Sequence, residues 1–197
     1  MALSIEVYEA RKRNRFTKIL PWLAGGLIVG LCAVLVVTLS QSSGRKKGFL
    51  SQFYGKLTVA SEQVQSLLQN ETQEQLVNTV VSLTVLDTVM EDGRIFVDSD
   101  IFYNYQLGRF DGIAQTLLTG MEYNGTILCE GFLADGKLSE SERAYLSVLV
   151  SDLNTLKEAL SKNGQADTGL SIKKFNGYTH VLFSKYSDVL SLGLSNE

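Results

Sequence analysis

Proline, histidine and cysteine are nearly missing from this sequence. The only proline is Pro21, so nothing from residue 22 to 197 carries the strongest helix breaker, and long helices are free to form there. His180 is the only histidine, and Cys32 and Cys129 are the only cysteines. That inventory cannot supply the several Cys and His ligands of a zinc site. Beyond residue 40 only Cys129 remains, so no internal disulfide can form there, and packing must hold that part together. Cys129 itself, flanked by Leu128 and Glu130 on an expected helix, reads as a small buried apolar residue. No GxGxxG or GxxxxGK[ST] occurs, which removes the common phosphate-cradling loops. No serine sits in a nucleophile-elbow context, and Tyr178 and Thr179 beside His180 form no catalytic constellation. The expectation is no catalytic residue, no metal, no cofactor and no enzyme.

Positive charge is scarce in the larger part of the chain. Residues 48–197 hold 10 basic against 19 acidic residues, which argues against nucleic acid, since phosphate binding needs a basic face. The positive charge collects near the N-terminus instead, as Arg11, Lys12, Arg13, Arg15 and Lys18, followed by Arg45, Lys46 and Lys47. These two groups read as basic collars that touch anionic lipid headgroups.

Between the collars lies ILPWLAGGLIVGLCAVLVVTLS, residues 19–40, 22 residues without a charge. As a helix they would reach about 33 Å, enough to cross the hydrocarbon core. A secretory signal has a shorter apolar run of about 7–15 residues. The stretch is therefore expected to remain as a transmembrane helix rather than be cleaved near Thr38 and Ser40. Leu31 before Cys32 argues against lipidation. Five basic residues before the span and three after it place the N-terminus in the cytoplasm and the remainder outside. Gly26 and Gly30, with Ala33 on nearly the same face, form a small-residue surface suited to a homodimer.

The remainder reads as helices. Leu50, Phe53, Leu57, Ala60, Val64 and Leu67 alternate steps of three and four, which lines one face. Thr72 with Gln75 opens a second helix through Leu76, Val80, Leu83, Leu86 and Met90, rich in β-branched residues and closed by Glu91, Asp92 and Gly93. A long third helix is expected from a cap at Asp98 to Asp100, through Tyr103, Leu107, Phe110, Ala114, Leu117 and Met121 to Leu128 and Phe132. Gly108, Gly112 and Gly120 lie on one of its faces, and Asn124 and Gly125 mark a kink or break. Ser139 and Glu142 cap a fourth, striped by Leu146, Leu149, Leu153, Leu156 and Leu160 and stopped by Asn163 and Gly164. A fifth runs from Ser171 to Val189, interrupted at Asn176 and Gly177. The fold class is all-α: a single transmembrane helix followed by an antiparallel four- or five-helix bundle. The expected divisions are a basic cytoplasmic tail (1–18), the span (19–40), a juxtamembrane linker (41–48), which becomes a hinge where the first bundle helix continues the membrane helix outward, the extracytoplasmic bundle (49–190) and a frayed tail (191–197).

Two further stretches invite chemistry. In GFLADGKLSESE, Asp135, Gly136 and Glu142 have calcium-loop spacing, but Gly131 and Leu133 fall where ligating oxygens are needed. A tight turn at Asp135 and Gly136 explains the same residues. Phe102, Tyr103, Tyr105, Phe110 and Tyr123 either line a small-ligand pocket or belong to the core.

The order of basic tail, single span, outer helices, acidic-glycine turn and the leucine-striped DGKLSESERAYLSVLVSDLNTLKEAL resembles the N-terminal region of YpeB-type spore germination membrane proteins. The likeness covers residues 19–162. It implies a membrane protein that holds a cortex-lytic partner outside the membrane. The PepSY repeats of that family are missing here, and the tail before the span is longer. The expected function is a non-catalytic tether or adaptor for a partner protein, touching membrane lipid, with an extracytoplasmic small-ligand sensor bundle as the alternative.

Overall fold

The computed structural model describes residues 41–101, 109–123 and 126–187. The expected span, with Gly26, Gly30 and Ala33, lies outside the described residues, as do Arg11, Lys12, Arg13, Arg15, Lys18 and the tail from residue 188. Among the described residues no helix is long and apolar enough to cross a membrane.

Helix α1 covers residues 41–69. The stretch 41–48, expected as a linker, is helical and runs into the rest of α1 without a break. All six residues of the expected stripe, Leu50 to Leu67, are buried, each large side chain contributing roughly 1.5–3 kcal/mol. Helix α2 is Gln73–Phe96, and the Thr72 hydroxyl caps it by accepting from the Gln75 N–H at 3.2 Å. Three residues separate the two helices, so they fold back as antiparallel neighbours. Their register follows from two contacts: Thr79 Oγ1 donates to the Gln63 carbonyl at 3.1 Å, and the Phe49 ring lies against Gly93.

That second contact corrects one expectation. Glu91, Asp92 and Gly93 do not close α2, which continues to Phe96. Gly93 is there because a Cβ would come within 2.3 Å of Phe49 Cε2. A missing side chain lets the ring fill the gap between helices.

The long third helix is also corrected. Asp98 to Asp100 form a turn, in which the Asp100 N–H donates to Asp98 Oδ1 at 2.9 Å, not a helix cap. Helix α3 is only Phe110–Thr119. It ends because Gly120 takes the left-handed conformation, φ 77°, with its N–H on the Thr116 carbonyl. Strands β1 (Met121–Tyr123) and β2 (Thr126–Cys129) follow as an antiparallel hairpin, Tyr123 facing Thr126. Cys129 thus sits on a strand, not on the expected helix.

Residues 130–138 return to the bundle. The Phe132 N–H donates to the Leu117 carbonyl at 2.9 Å, and both Phe132 and Leu133 are buried. The Gly136 N–H closes the expected turn on the Leu133 carbonyl at 2.9 Å, with Gly136 at φ 77°. Helix α4, Glu140–Ala159, opens with the full reciprocal box between Ser139 and Glu142. Its five-leucine stripe is buried. Asn163 and Gly164 do stop the helix, but as the two-residue turn of a second hairpin, β3 (Ser161–Lys162) with β4 (Gln165–Ala166). Both residues have positive φ, 55° and 77°, as a type I′ turn requires.

Helix α5, Ile172–Ser187, passes through Asn176 and Gly177 uninterrupted. Asn176 donates its side-chain amide to the Asp100 carbonyl, so it fastens the helix to the turn after α2. Arg45–Glu197 form one compact unit. Its helices alternate in direction: Ser61 Oγ meets Asn154 Oδ1 at 2.8 Å, Arg143 pairs with Glu71, and Lys185 with Asp152 at 2.6 Å. Phe49, Phe53, Phe110, Phe175 and Phe183 interlock edge to face or tilted in its core, with centroids 5.0–6.1 Å apart.

Candidate interaction surface

The outer face of α2 departs from the rest of the bundle. Leu76, Leu83, Leu86, Val89 and Met90 are buried, and Val80 packs partly against the same core. Yet Val77, Val81 and Val85 are 50%, 54% and 36% exposed. With Asn78, Thr84 and Thr88, also exposed, they make a row at helical spacing on the opposite side. Thr88 turns its hydroxyl back to the Thr84 carbonyl at 3.0 Å, which leaves its methyl group to face outward.

This face carries no charge. Between Glu74 and Glu91 the only ionisable residue is Asp87, and Asp87 is buried. Its carboxylate takes the Arg109 guanidinium in a two-pronged pair, Nε to Oδ1 at 3.0 Å and Nη2 to Oδ2. Such a pair gains geometric specificity from its fork. It also fixes α3 beside α2, antiparallel, because Leu117 at the far end of α3 reaches Phe132 and Leu133 accepts from Gln73 Nε2 at 3.2 Å. Counted back from that pair, the exposed Leu118 comes level with the start of the valine row.

The helix is apolar on both sides although, among the described residues, only one side packs against a neighbour. A solvent-facing helix surface is ordinarily charged, and in this protein 20% of residues are. The signal was present in the sequence as the run QLVNTVVSLTVLDTVM, whose single charge is Asp87, but its β-branched residues read there only as weak helix formers.

Of the basic residues expected at the membrane surface, Arg45 and Lys47 are exposed and Lys46 half-buried on the opening turns of α1. His180 lies on the exposed side of α5. Among the described residues no three His, Cys, Asp or Glu side chains gather as metal ligands. Phe110, considered for a ligand pocket, is core: it is fully buried between Phe53 and Phe183. Phe102, Tyr103 and Tyr105 lie outside the described residues. Set beside known proteins, the chain matches no family model, no curated protein and no solved structure.

Proposed function

We propose that this chain is a single-pass membrane protein whose extracytoplasmic helical bundle acts as a non-catalytic tether or adaptor for a partner protein. The observation that carries the reading is the uncharged outer face of α2, with Val77, Val81 and Val85 exposed. A stable interface buries about 800 Å² on each partner, far more than three half-exposed valines supply. The row is therefore the apolar centre of a contact whose rim is polar. Its spacing suits a partner that lays an amphipathic helix along α2.

The anchor is residues 19–40, and the excess of basic residues before it sets the N-terminus in the cytoplasm. Holding a partner at the surface raises its effective concentration to about the millimolar range for short linkers, with no chemistry by the tether. The resemblance to YpeB-type proteins points the same way. Gly26, Gly30 and Ala33 are the surface through which two copies would associate.

The test is a pull-down of the full-length protein from its native membrane, beside Val77→Lys and Val81→Lys variants. One stoichiometric soluble partner is expected with the unaltered chain and is lost with both variants, while their helical content stays unchanged. Recovery of the chain alone would overturn the tether and favour the small-ligand sensor.

A further inference from the structure

We infer that one end of the bundle, formed by the start of α1, the end of α2 and the start of α5, docks onto an anionic lipid surface through Ile95 and Phe96. The inference rests on the anchored reading above and adds a second membrane contact to it.

Three elements meet at this end. Phe49 of α1 lies on Gly93 of α2 and edge-on to Phe175 of α5, centroids 5.2 Å apart. Just beyond these buried contacts, Ile95 and Phe96 stand 58% and 65% exposed. An exposed aromatic and an exposed branched aliphatic side by side at a helix end have no role in the core. They do match the aromatic and aliphatic groups that settle at a bilayer interface. Phe96 also walls a groove of about 530 Å³ between Arg45, Gly48 and Gln52 of α1 and Val89 and Asp92 of α2.

The charge at this end fits the same occupant. Arg45, Lys46 and Lys47 open α1, Arg94 lies in the last turn of α2, and Lys173 and Lys174 lie in the first turn of α5. The acidic residues there are Glu91, Asp92, Asp98 and Asp100. Basic side chains exceed acidic ones here, whereas residues 48–197 as a whole are acidic. Anionic headgroups attract such clusters over about one Debye length. The connection along the chain is short: eight residues separate Ser40 from Phe49, about 12 Å as helix.

The experiment uses the full chain in vesicles of phosphatidylcholine and phosphatidylglycerol, 3:1, with acyl-brominated lipid. Trp22 is the only tryptophan, so Trp22→Phe gives a silent background. Phe96→Trp then adds one probe at the docking end, and Val148→Trp, exposed midway along α4, one away from it. Bromine is expected to quench the Phe96→Trp probe at least twofold and the Val148→Trp probe hardly at all. Lys173→Glu with Lys174→Glu should reduce the quenching at position 96. Equal, weak quenching at both positions in protein that resists alkaline carbonate extraction overturns the docking and leaves the anchor standing. Release of the protein by carbonate overturns the anchored reading, and the docking with it.

Discussion

Helices α4 and α2 both follow a short polar turn and both begin with a hydroxyl cap, yet they distribute their apolar residues differently. In α4 the buried residues Tyr145, Leu146, Leu149, Val150, Leu153 and Leu156 form one face, and Glu140, Arg143, Ser147, Ser151 and Thr155 fall outside the core. Of the apolar residues there, only Ala144 and Val148 are exposed. In α2 the core needs one side, and a second apolar row remains on the other. The difference separates two demands on a helix: α4 is accounted for by folding alone, and α2 carries side chains that folding does not use.

The strongest way to break this contrast is to truncate one residue from each class. Leu153 of α4 is fully buried, so Leu153→Ala should lower unfolding free energy by about 2–5 kcal/mol, the lost transfer energy plus the cavity. Val81→Ala on the outer row should change it by less than about 0.5 kcal/mol. Urea denaturation in detergent reads both as shifts of midpoint at constant slope. Similar losses for the two would mean that the α2 row belongs to the core after all.

A second substitution sharpens the comparison inside α2. In α4 no glycine interrupts the helix, whereas α2 keeps Gly93 against the Phe49 ring. Gly93→Ala gains roughly 1 kcal/mol of helix propensity. It also forces a methyl group into a filled space, and overpacking of that kind costs about 1–3 kcal/mol. Net destabilisation is expected, with reversal in the background Phe49→Ala, where the ring is gone. A double-mutant cycle measures this coupling directly. Additive effects would contradict the contact.

These examples show what was legible in the sequence. The stripes of α1 and α4 and the Ser139–Glu142 box read correctly because each signal is local and repeats at helical spacing. Gly93 misled as a stop because its reason is a ring 44 positions away in the chain, which no local pattern records. Asn176 and Gly177 misled likewise, since Asn176 answers to Asp100. The two hairpins were missed for a different reason. Asn163 with Gly164 joins β3 to β4, and Asn124 with Gly125 stands between the paired residues Tyr123 and Thr126. Asn-Gly flanked by short runs is a strong hairpin signal, but beside long helical periodicity it passed for a helix stop or kink. The candidate surface was legible only as an absence, the lack of charge from Gln75 to Met90 outside Asp87, and periodicity alone does not say which side of a helix will find a neighbour.

The smallest expected effect concerns the polar side of α4, and it tests whether even those residues are committed to the fold. Asp152 accepts from the Tyr186 hydroxyl at 2.9 Å and from Lys185 Nζ at 2.6 Å, which pins α5 to α4. Burial, and then the neighbouring Asp152 carboxylate, push the Tyr186 hydroxyl well above its ordinary range. Folded Tyr186 thus holds its proton more tightly than the unfolded chain does, where the group titrates near pH 10. Its contribution is complete below about pH 10 and is lost as pH rises beyond that. Tyr186→Phe should cost about 1 kcal/mol at pH 7, one hydrogen bond. The gap between variant and unaltered chain should then narrow above about pH 10, because the phenylalanine has no proton to lose. Urea midpoints measured from pH 7 to 11 give both numbers. A gap constant across that range would show that the hydroxyl is not held by Asp152, and α4 would then have a polar face as uncommitted to the fold as the valine row of α2.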